Sequence, residues 1–381
     1  MRVAVLLHKT VVHDGRVLRE AGALADAGHD VVIVHLPAGD ETEVAGGFRL
    51  RSATPAKWMR RLPRTLWRVI ALGSIARGAR AERPDVVHAN DIATLIPGYL
   101  AARLSGVALV YDTHEYAVGV PYRKAVWAWL AATIERLLIR RCDAVITVSD
   151  GIAERLQARY GLAERPVVVR NVPDLPPPNP GTAPDLRREM EIGEAPLVLH
   201  QGAVADGRGG GNLVRAVAQM DSAHLLFLGA DGAFADSLRE LGIRLGLDGR
   251  LHFYPPVALA ELLSYTSQAD VGVSLLEDTC ENHRLALPNK LFEYLAAGLP
   301  VVVSDLPEMR RLVGDRSVGW TTDPGDPADI ARVLELALAD RDDPALQERV
   351  RAAAAELNWP HERSRLTGLY AALGKGRRSQ P

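Results

Sequence analysis

The chain opens on an apolar run, Val3–Leu7. It is followed by Val17, Leu18, Ala21, Leu24 and Ala25 at 3.6-residue spacing. The run predicts a buried strand, and the spacing predicts a helix over Gly15–Ala27 that hides one face, closed by Gly28 as its C-cap. The alternation then repeats. Val31–Val34, Val86–His88, Leu109–Tyr111 and Ala144–Val148 read as strands, and Ala93–Leu104, Ala125–Arg140 and Gly151–Arg159 as helices. Strand-like runs alternating with helical patterns specify a parallel sheet with helices on both faces.

Six prolines fall between Pro173 and Pro184, a density that neither a helix nor a central strand tolerates. Beyond them the alternation restarts, with strands at Leu197–His200, Leu225–Leu228, Leu251–Phe253, Val271–Leu275 and Val301–Val303. Helices are expected at Leu213–Met220, Ser237–Leu245, Leu259–Ser264, Lys290–Ala297 and Pro327–Ala339. The organisation expected is therefore a doubly wound α/β domain over 1–171, a stiff linker over 172–184 and a second such domain over 185–358. An amphipathic helix over 359–373 follows, and Gly374–Pro381 is expected to fray.

Composition narrows the classes. The 381 residues suit two domains at roughly 150 residues each, and 48% apolar with 24% charged residues is ordinary for a globular chain. Apolar runs such as Leu295–Val303 are broken by Gly and Pro and fall short of the roughly 20 residues a spanning helix needs. Cys142 and Cys280 are the only cysteines, which argues against a disulfide framework or structural zinc and makes the cytoplasm the expected compartment. The net charge of −2 conceals an asymmetry: residues 1–170 carry 24 Lys+Arg against 17 Asp+Glu, and the remainder is acidic. Two halves of opposite charge suggest different partners.

Open parallel sheets bind ligands beyond the carboxyl ends of their strands. No Gly-x-Gly-x-x-Gly follows the first strand, and no Gly-x-x-x-x-Gly-Lys-Ser/Thr loop occurs. Gly207-Arg208-Gly209-Gly210-Gly211 is a glycine run of a common loop type, and Asp340–Asp342 lies in a charged segment that reads as a solvated face. The informative stretch is Leu287–Ser304. Pro288 and Asn289 start a helix there, and Gly298 with Pro300 stops it. A helix start offers unpaired N–H groups and the positive dipole end, a seat for phosphate. Lys290 adds charge, and Glu293 follows one turn later. From the residues alone two readings stand open: a diphosphate and ribose site, or a weak surface ion pair between Lys290 and Glu293.

That stretch resembles the nucleotide-sugar-binding motif of family 4 glycosyltransferases with the GT-B fold, in the subgroup reading Pro-Asn-Lys-Leu-Phe-Glu-Tyr. Further segments are similar to that family in the same order. They are Asp14–Ala21, Pro84–Asp91, Val110–Glu115, Val148–Gly151, Arg170–Pro173, Gln201-Gly202 and Arg208-Gly209. The resemblance implies two Rossmann-like domains facing a central cleft, the first binding acceptor and the second a nucleotide sugar, with the last helix packing back on the first domain. It implies sugar transfer with retention of anomeric configuration and no metal. By the same resemblance Arg208, Lys290 and the helix start at Pro288, Asn289 and Leu291 hold the donor diphosphate, and Glu293 holds the ribose. Gly202 and Gly15 let backbone approach the phosphate, and His114 lies beside the transferred sugar.

Two positions depart from the family. Leu285 stands where many members carry a second glutamate, which leaves Glu281 or Asn282 as candidate substitutes. Ala203 or Val204 stands where an additional arginine is common, which leaves Lys9 or Arg284 as possible helpers.

Lys57–Arg80 carries seven basic residues and no acid, interleaved with Trp58, Leu62, Leu66 and Trp67. Either an ordinary amphipathic helix or one lying on the inner face of an anionic membrane fits, the latter favouring a lipid-linked acceptor. No stacking platform for nucleic acid accompanies it. The alternatives to a transferase are a nucleotide-sugar epimerase or phosphorylase on the same fold, and a non-catalytic sugar-nucleotide-binding protein.

Overall fold

The computed structural model describes residues 1–11, 14–36, 47–53, 55, 63–120, 125–174 and 183–378. The chain divides into two units, Met1–Asn171 with Pro360–Pro381, and Val172–Trp359.

In the first unit the order is β1 (Arg2–Leu7), α1 (Gly15–Asp26), β2 (Asp30–His35), β3 (Arg49–Ser52), α2 (Arg64–Ala81), β4 (Val86–Asn90) and α3 (Asp91–Ser105). It continues through β5 (Ala108–Thr113), α4 (Ala125–Leu138), β6 (Ala144–Thr147), α5 (Asp150–Tyr160) and β7 (Val167–Val168). The strands form one parallel sheet in the order β3-β2-β1-β4-β5-β6-β7. β1 pairs with β2 from Arg2 opposite Asp30 and with β4 from Val3 opposite Val86. Both faces are covered, so β1, β2 and β4 read as nearly continuous buried runs rather than as alternation.

The second unit runs α6 (Leu186–Glu189), β8 (Leu197–Gln201), α7 (Gly210–Val217), β9 (His224–Leu228), α8 (Gly232–Arg244), β10 (Leu251–Tyr254), α9 (Leu262–Thr266) and β11 (Val271–Ser274). It continues through α10 (Glu281–Leu285), α11 (Asn289–Ala296), β12 (Val301–Ser304), α12 (Pro307–Arg316), β13 (Gly319–Thr322), α13 (Pro327–Ala339) and α14 (Pro344–Glu356). Its parallel sheet is ordered β10-β9-β8-β11-β12-β13. In each sheet the winding direction reverses beside the first strand of the unit, between β1 and β4 and between β8 and β11, and the crevice at such a reversal is where open α/β sheets bind ligands.

The last helix, α15 (Trp359–Arg378), belongs mostly to the first unit. Its Tyr370 is fully buried against β4, where the hydroxyl lies 2.8 Å from Nδ1 of His88, and Glu362 pairs with Arg170 at 3.3 Å. Of the stretch 374–381 expected to fray, residues 374–378 are helical, and 379–381 lie outside the described residues. The helix runs to Arg378, and at Gly374 it lies against Met1.

Sequence reading passed over β3, β7 and β13. β3 reads Arg-Leu-Arg-Ser and β13 Gly-Trp-Thr-Thr, edge strands without a buried apolar run. Glu281 and Asn282, the candidate substitutes for the second glutamate, open one short helix, α10.

Candidate active site

The candidate residues gather at two strand-end clusters, one in each unit. In the first unit, Asp14 caps α1: its Oδ1 accepts from the Val17 amide at 3.2 Å, and its Oδ2 lies 3.0 Å from Lys9 Nζ. Gly15 follows it, exposed, and a Cβ there would meet only the Arg19 guanidinium, at 3.2 Å. Lys9 is thereby committed to Asp14.

The next residue, Arg16, points inward. Its guanidinium donates to both carboxylate oxygens of Asp112, at 2.9 and 3.1 Å, and to the Val169 carbonyl at 2.8 Å, and it lies 2.9 Å from Glu20. Arg16, Glu20 and Asp112 are all buried. One guanidinium cannot fully satisfy two buried carboxylates, so they divide. Burial pushes Asp112 up, but Arg16 and then His114 more than reverse this and hold it well below the usual carboxylate range. Burial wins at Glu20 despite Arg16 and raises its pKa to about 8.

His114 stands just past β5. Its Nε2 is 3.1 Å from Asn90 Oδ1 and 3.4 Å from Asp112 Oδ2, and its Nδ1 is 3.5 Å from Asp91 Oδ1. Burial alone would lower its pKa, but Asp112, with Asp91 behind it, lifts it to about 9. Both ring nitrogens face acceptors, so at neutral pH His114 is an imidazolium. It can supply charge and hydrogen bonds but cannot take a proton. Asp91 opens α3 with φ of +63°, in the left-handed region that aspartate adopts more readily than most non-glycine residues.

Among the described residues, Glu20, His88 and Asp112 bring three potential ligand atoms within 4.8 Å of one another. The Arg16 guanidinium already supplies the positive charge to two of the three.

In the second unit, β8 ends in His200-Gln201 and turns at Gly202, whose φ is +84°. The Gly202 amide donates to the Leu228 carbonyl at 2.7 Å, so what the glycine provides is the left-handed turn. Gly209 is more constrained: with φ of +70°, a Cβ would lie 2.5 Å from the Leu275 carbonyl oxygen. This tight turn presents Arg208 to solvent at the start of α7.

Helix α11 is locked onto the sheet by Tyr294. Its hydroxyl accepts from the Gln201 amide at 2.8 Å and donates to the Val273 carbonyl at 3.1 Å, and its ring covers Gly272, where any Cβ would collide. Leu291, Phe292 and Leu295 fill the core beneath. Leu291 thus turns its side chain away from solvent, and only its backbone is left for a ligand. The helix begins after Pro288 with Asn289 exposed and without a side-chain cap. Its leading N–H groups therefore lack intrahelical partners.

Lys290, half-buried one position on, sets Nζ 3.1 Å from Nε2 of His200. Burial and then Arg208 lower the Lys290 pKa to about 7, against the pull of Glu293. His200 is pushed well below its ordinary value by burial, then by Lys290. It is therefore a neutral acceptor that aims the lysine. Glu293 is aimed in turn by Gln201, whose Nε2 donates to it while Gln201 Oε1 accepts from Thr266 Oγ1 at 2.5 Å. Glu281 and Asn282 lie on α10, beside the Arg208 loop: Glu277 donates to the Gly207 carbonyl at 3.0 Å, and a Cβ on Gly207 would stand 3.7 Å from His283. Arg284 is paired with Asp278 at 2.6 Å.

Sequence reasoning named Arg16, Asp112 and Gln201 only as members of segments similar to the family, without a role, and assigned His200 to a strand alone. Each is a buried polar residue on or beside a strand end, a signal that becomes legible only once partners far along the chain are known.

Two family models match the chain, Glycosyltransferase Family 4 over residues 16–175 and Glycosyl transferases group 1 over residues 195–340. The chain has the GT-B fold and is a glycosyltransferase. Glycogen synthase of Mycobacterium tuberculosis is 27% identical across 93% of this chain and 90% of its own length. D-inositol 3-phosphate glycosyltransferase of Geodermatophilus obscurus is 26% identical across 96% and 84%. Among solved structures, Anabaena HepE in complex with UDP superposes with a TM-score of 0.76 over 98% of this chain and all of that one, at 16% identity. This glycosyltransferase is nucleotide-sugar-dependent.

Proposed function

We propose that the second unit holds a nucleoside-diphosphate sugar and that the first unit contributes His114 toward the transferred sugar and binds the acceptor, with retention of anomeric configuration. The single observation that carries this reading is the trio at α11 and β8: a lysine kept near its titration point by burial and Arg208, a neutral histidine aiming it, and a glutamate oriented by Gln201. Such a cluster is short of anion and long on donors, which is what a diphosphate needs.

Lys290, Arg208 and the helix start at Pro288, Asn289 and Leu291 would take the diphosphate, the last through its backbone. Glu293 would take the ribose hydroxyls, and Glu281 or Asn282 the sugar. This is the role set of the Pro-Asn-Lys-Leu-Phe-Glu-Tyr subgroup. Negative charge develops on the leaving phosphate as the glycosidic bond breaks, and preorganised donors stabilise it as it forms without a metal. His114, held protonated by Asp112 and Asp91, cannot act as base at neutral pH. Retention is what the resemblance to family 4 implies, and a departing phosphate that takes the acceptor proton on the same face of the sugar is compatible with it. Gly15 and Gly202 would leave room for backbone to approach. The linker 172–184, of which 175–182 lie outside the described residues, would serve as the hinge, and a lipid-linked acceptor would accord with the basic stretch 57–80, of which 57–62 lie outside them.

A thermal-shift screen against UDP-, GDP-, ADP- and dTDP-sugars tests the donor half. One nucleotide family raises the melting temperature by mass action while the others do not. No shift with any of them rejects it.

A further inference from the structure

Helix α4 is turned inside out. Its sequence, AVWAWLAATIERLL, is among the most apolar in the chain, yet the residues it buries are Ala131 and Glu135. The Glu135 carboxylate accepts hydrogen bonds from the hydroxyls of Tyr111 at 2.9 Å and Tyr160 at 2.6 Å. Meanwhile Val126, Trp127, Trp129, Leu130 and Leu137 face solvent, Trp129 with 66% of its surface free. An amphipathic helix on a globular protein does the reverse.

The neighbours extend this face. Helix α3 packs beside α4 and exposes Ile96, Leu100 and Leu104, and α2 packs beside α3 and exposes Val69. Of thirteen exposed large hydrophobic residues among the described residues, nine lie on these three consecutive helices. Contiguous apolar surface of this kind marks an interaction site.

Charge selects the partner. Helices α2, α3 and α4 with the turn Ile139–Arg141 carry eight arginines and two acids, Asp91 and Glu135. Asp91 is turned to His114 and Glu135 is buried, while Arg77, Arg80, Arg103, Arg136, Arg140 and Arg141 are exposed, so among the described residues these helices offer arginine and no free carboxylate. A second copy of the chain would bring the same six exposed arginines against these six, which opposes a two-fold dimer. An anionic bilayer satisfies both features: tryptophan prefers the headgroup level, and arginine at the rim meets lipid phosphate.

We propose that the outer face of α3 and α4, continued by α2, is a docking surface for an anionic lipid bilayer, with Trp127 and Trp129 entering the headgroup region. This surface shares α2 with the basic stretch 57–80, adds α3 and α4 to it, and is independent of the donor assignment.

The test is co-sedimentation of the full chain with phosphatidylcholine vesicles, with and without phosphatidylglycerol. The protein should pellet with the anionic vesicles at low salt and be released by added salt. The double substitution Trp127→Ser/Trp129→Ser should reduce binding at least about tenfold, and Arg103→Gln/Arg136→Gln by about fivefold per charge removed. All four positions are exposed, so melting temperature and turnover of a soluble acceptor should not change. No pelleting at low salt, binding unchanged in the tryptophan variant, or a concentration-dependent dimer that this variant dissolves would each overturn the proposal.

Discussion

The two strand-end clusters are built on opposite electrostatic plans. In the first unit, Arg16 and His114 are balanced by Asp112 and Asp91 while burial favours the protonated form of Glu20, so the cluster is paired without a ligand. In the second, Lys290, Arg208 and the head of α11 converge with Glu293 as their nearby acid, and the lysine relieves the crowding by giving up part of its charge. One site is preorganised by pairing and the other waits for an anion. The difference predicts that damage to the first appears as lost stability and damage to the second as lost donor affinity.

The largest expected effect tests the first half of that contrast. Asp112→Ala removes the carboxylate from a buried, doubly hydrogen-bonded arginine and leaves an uncompensated charge, which costs about 3–5 kcal/mol. The unfolding transition of the first unit should move down sharply. His114 loses its main anionic partner, so burial then governs and its pKa falls from about 9. Chemical denaturation and a histidine NMR titration check both. An unchanged transition would mean that the buried pair is not what holds the cluster.

Next in size is the second unit. Lys290→Gln should weaken binding of the matching nucleoside diphosphate by one to two decades, since a charge-assisted hydrogen bond contributes roughly 1.5–3 kcal/mol, while the melting temperature of the free protein stays put. The pH dependence sharpens the point. His200, Arg208 and Glu293 face Lys290, and with its pKa near 7 about half the free protein carries the charge at neutrality. Bound diphosphate favours the ammonium, so binding takes up a proton. Above pH 7 affinity should fall about tenfold per unit until the bound-state pKa is reached. Lys290→Arg, which stays charged, should flatten that slope. Calorimetry across pH 7–9 reads it, and a flat wild-type profile breaks the comparison.

Much of this was legible in the chain, and what was not has a common cause. The stretch Leu287–Ser304 carries its own instructions, because helix start, helix stop and buried strand are all local chemistry. The buried strands were visible as apolar runs. The partners that tune the site were not: Arg16 meets Asp112 across 96 residues, and Lys290 meets His200 across 90. No local pattern encodes such pairs. The same holds for the inverted α4, whose helical periodicity was plain but whose inward face is set by Tyr111 and Tyr160 from two other elements.

The smallest expected effect decides how far the first cluster reaches. Tyr370, on the last helix, places its hydroxyl 2.8 Å from Nδ1 of His88, and the other ring nitrogen of His88 lies 3.8 Å from Asp112. A chain therefore runs from α15 to the residue that charges His114. If it is only packing, Tyr370→Phe leaves one buried ring nitrogen without its partner and costs about 1 kcal/mol. Turnover and the pH profile of kcat would then stay within about twofold, because Asp112 keeps its three hydrogen bonds from Arg16. If the profile instead moves with the His114 titration while stability barely changes, the C-terminal helix is setting the charge state of the cluster. The first unit would then be tuned from outside rather than closed on itself.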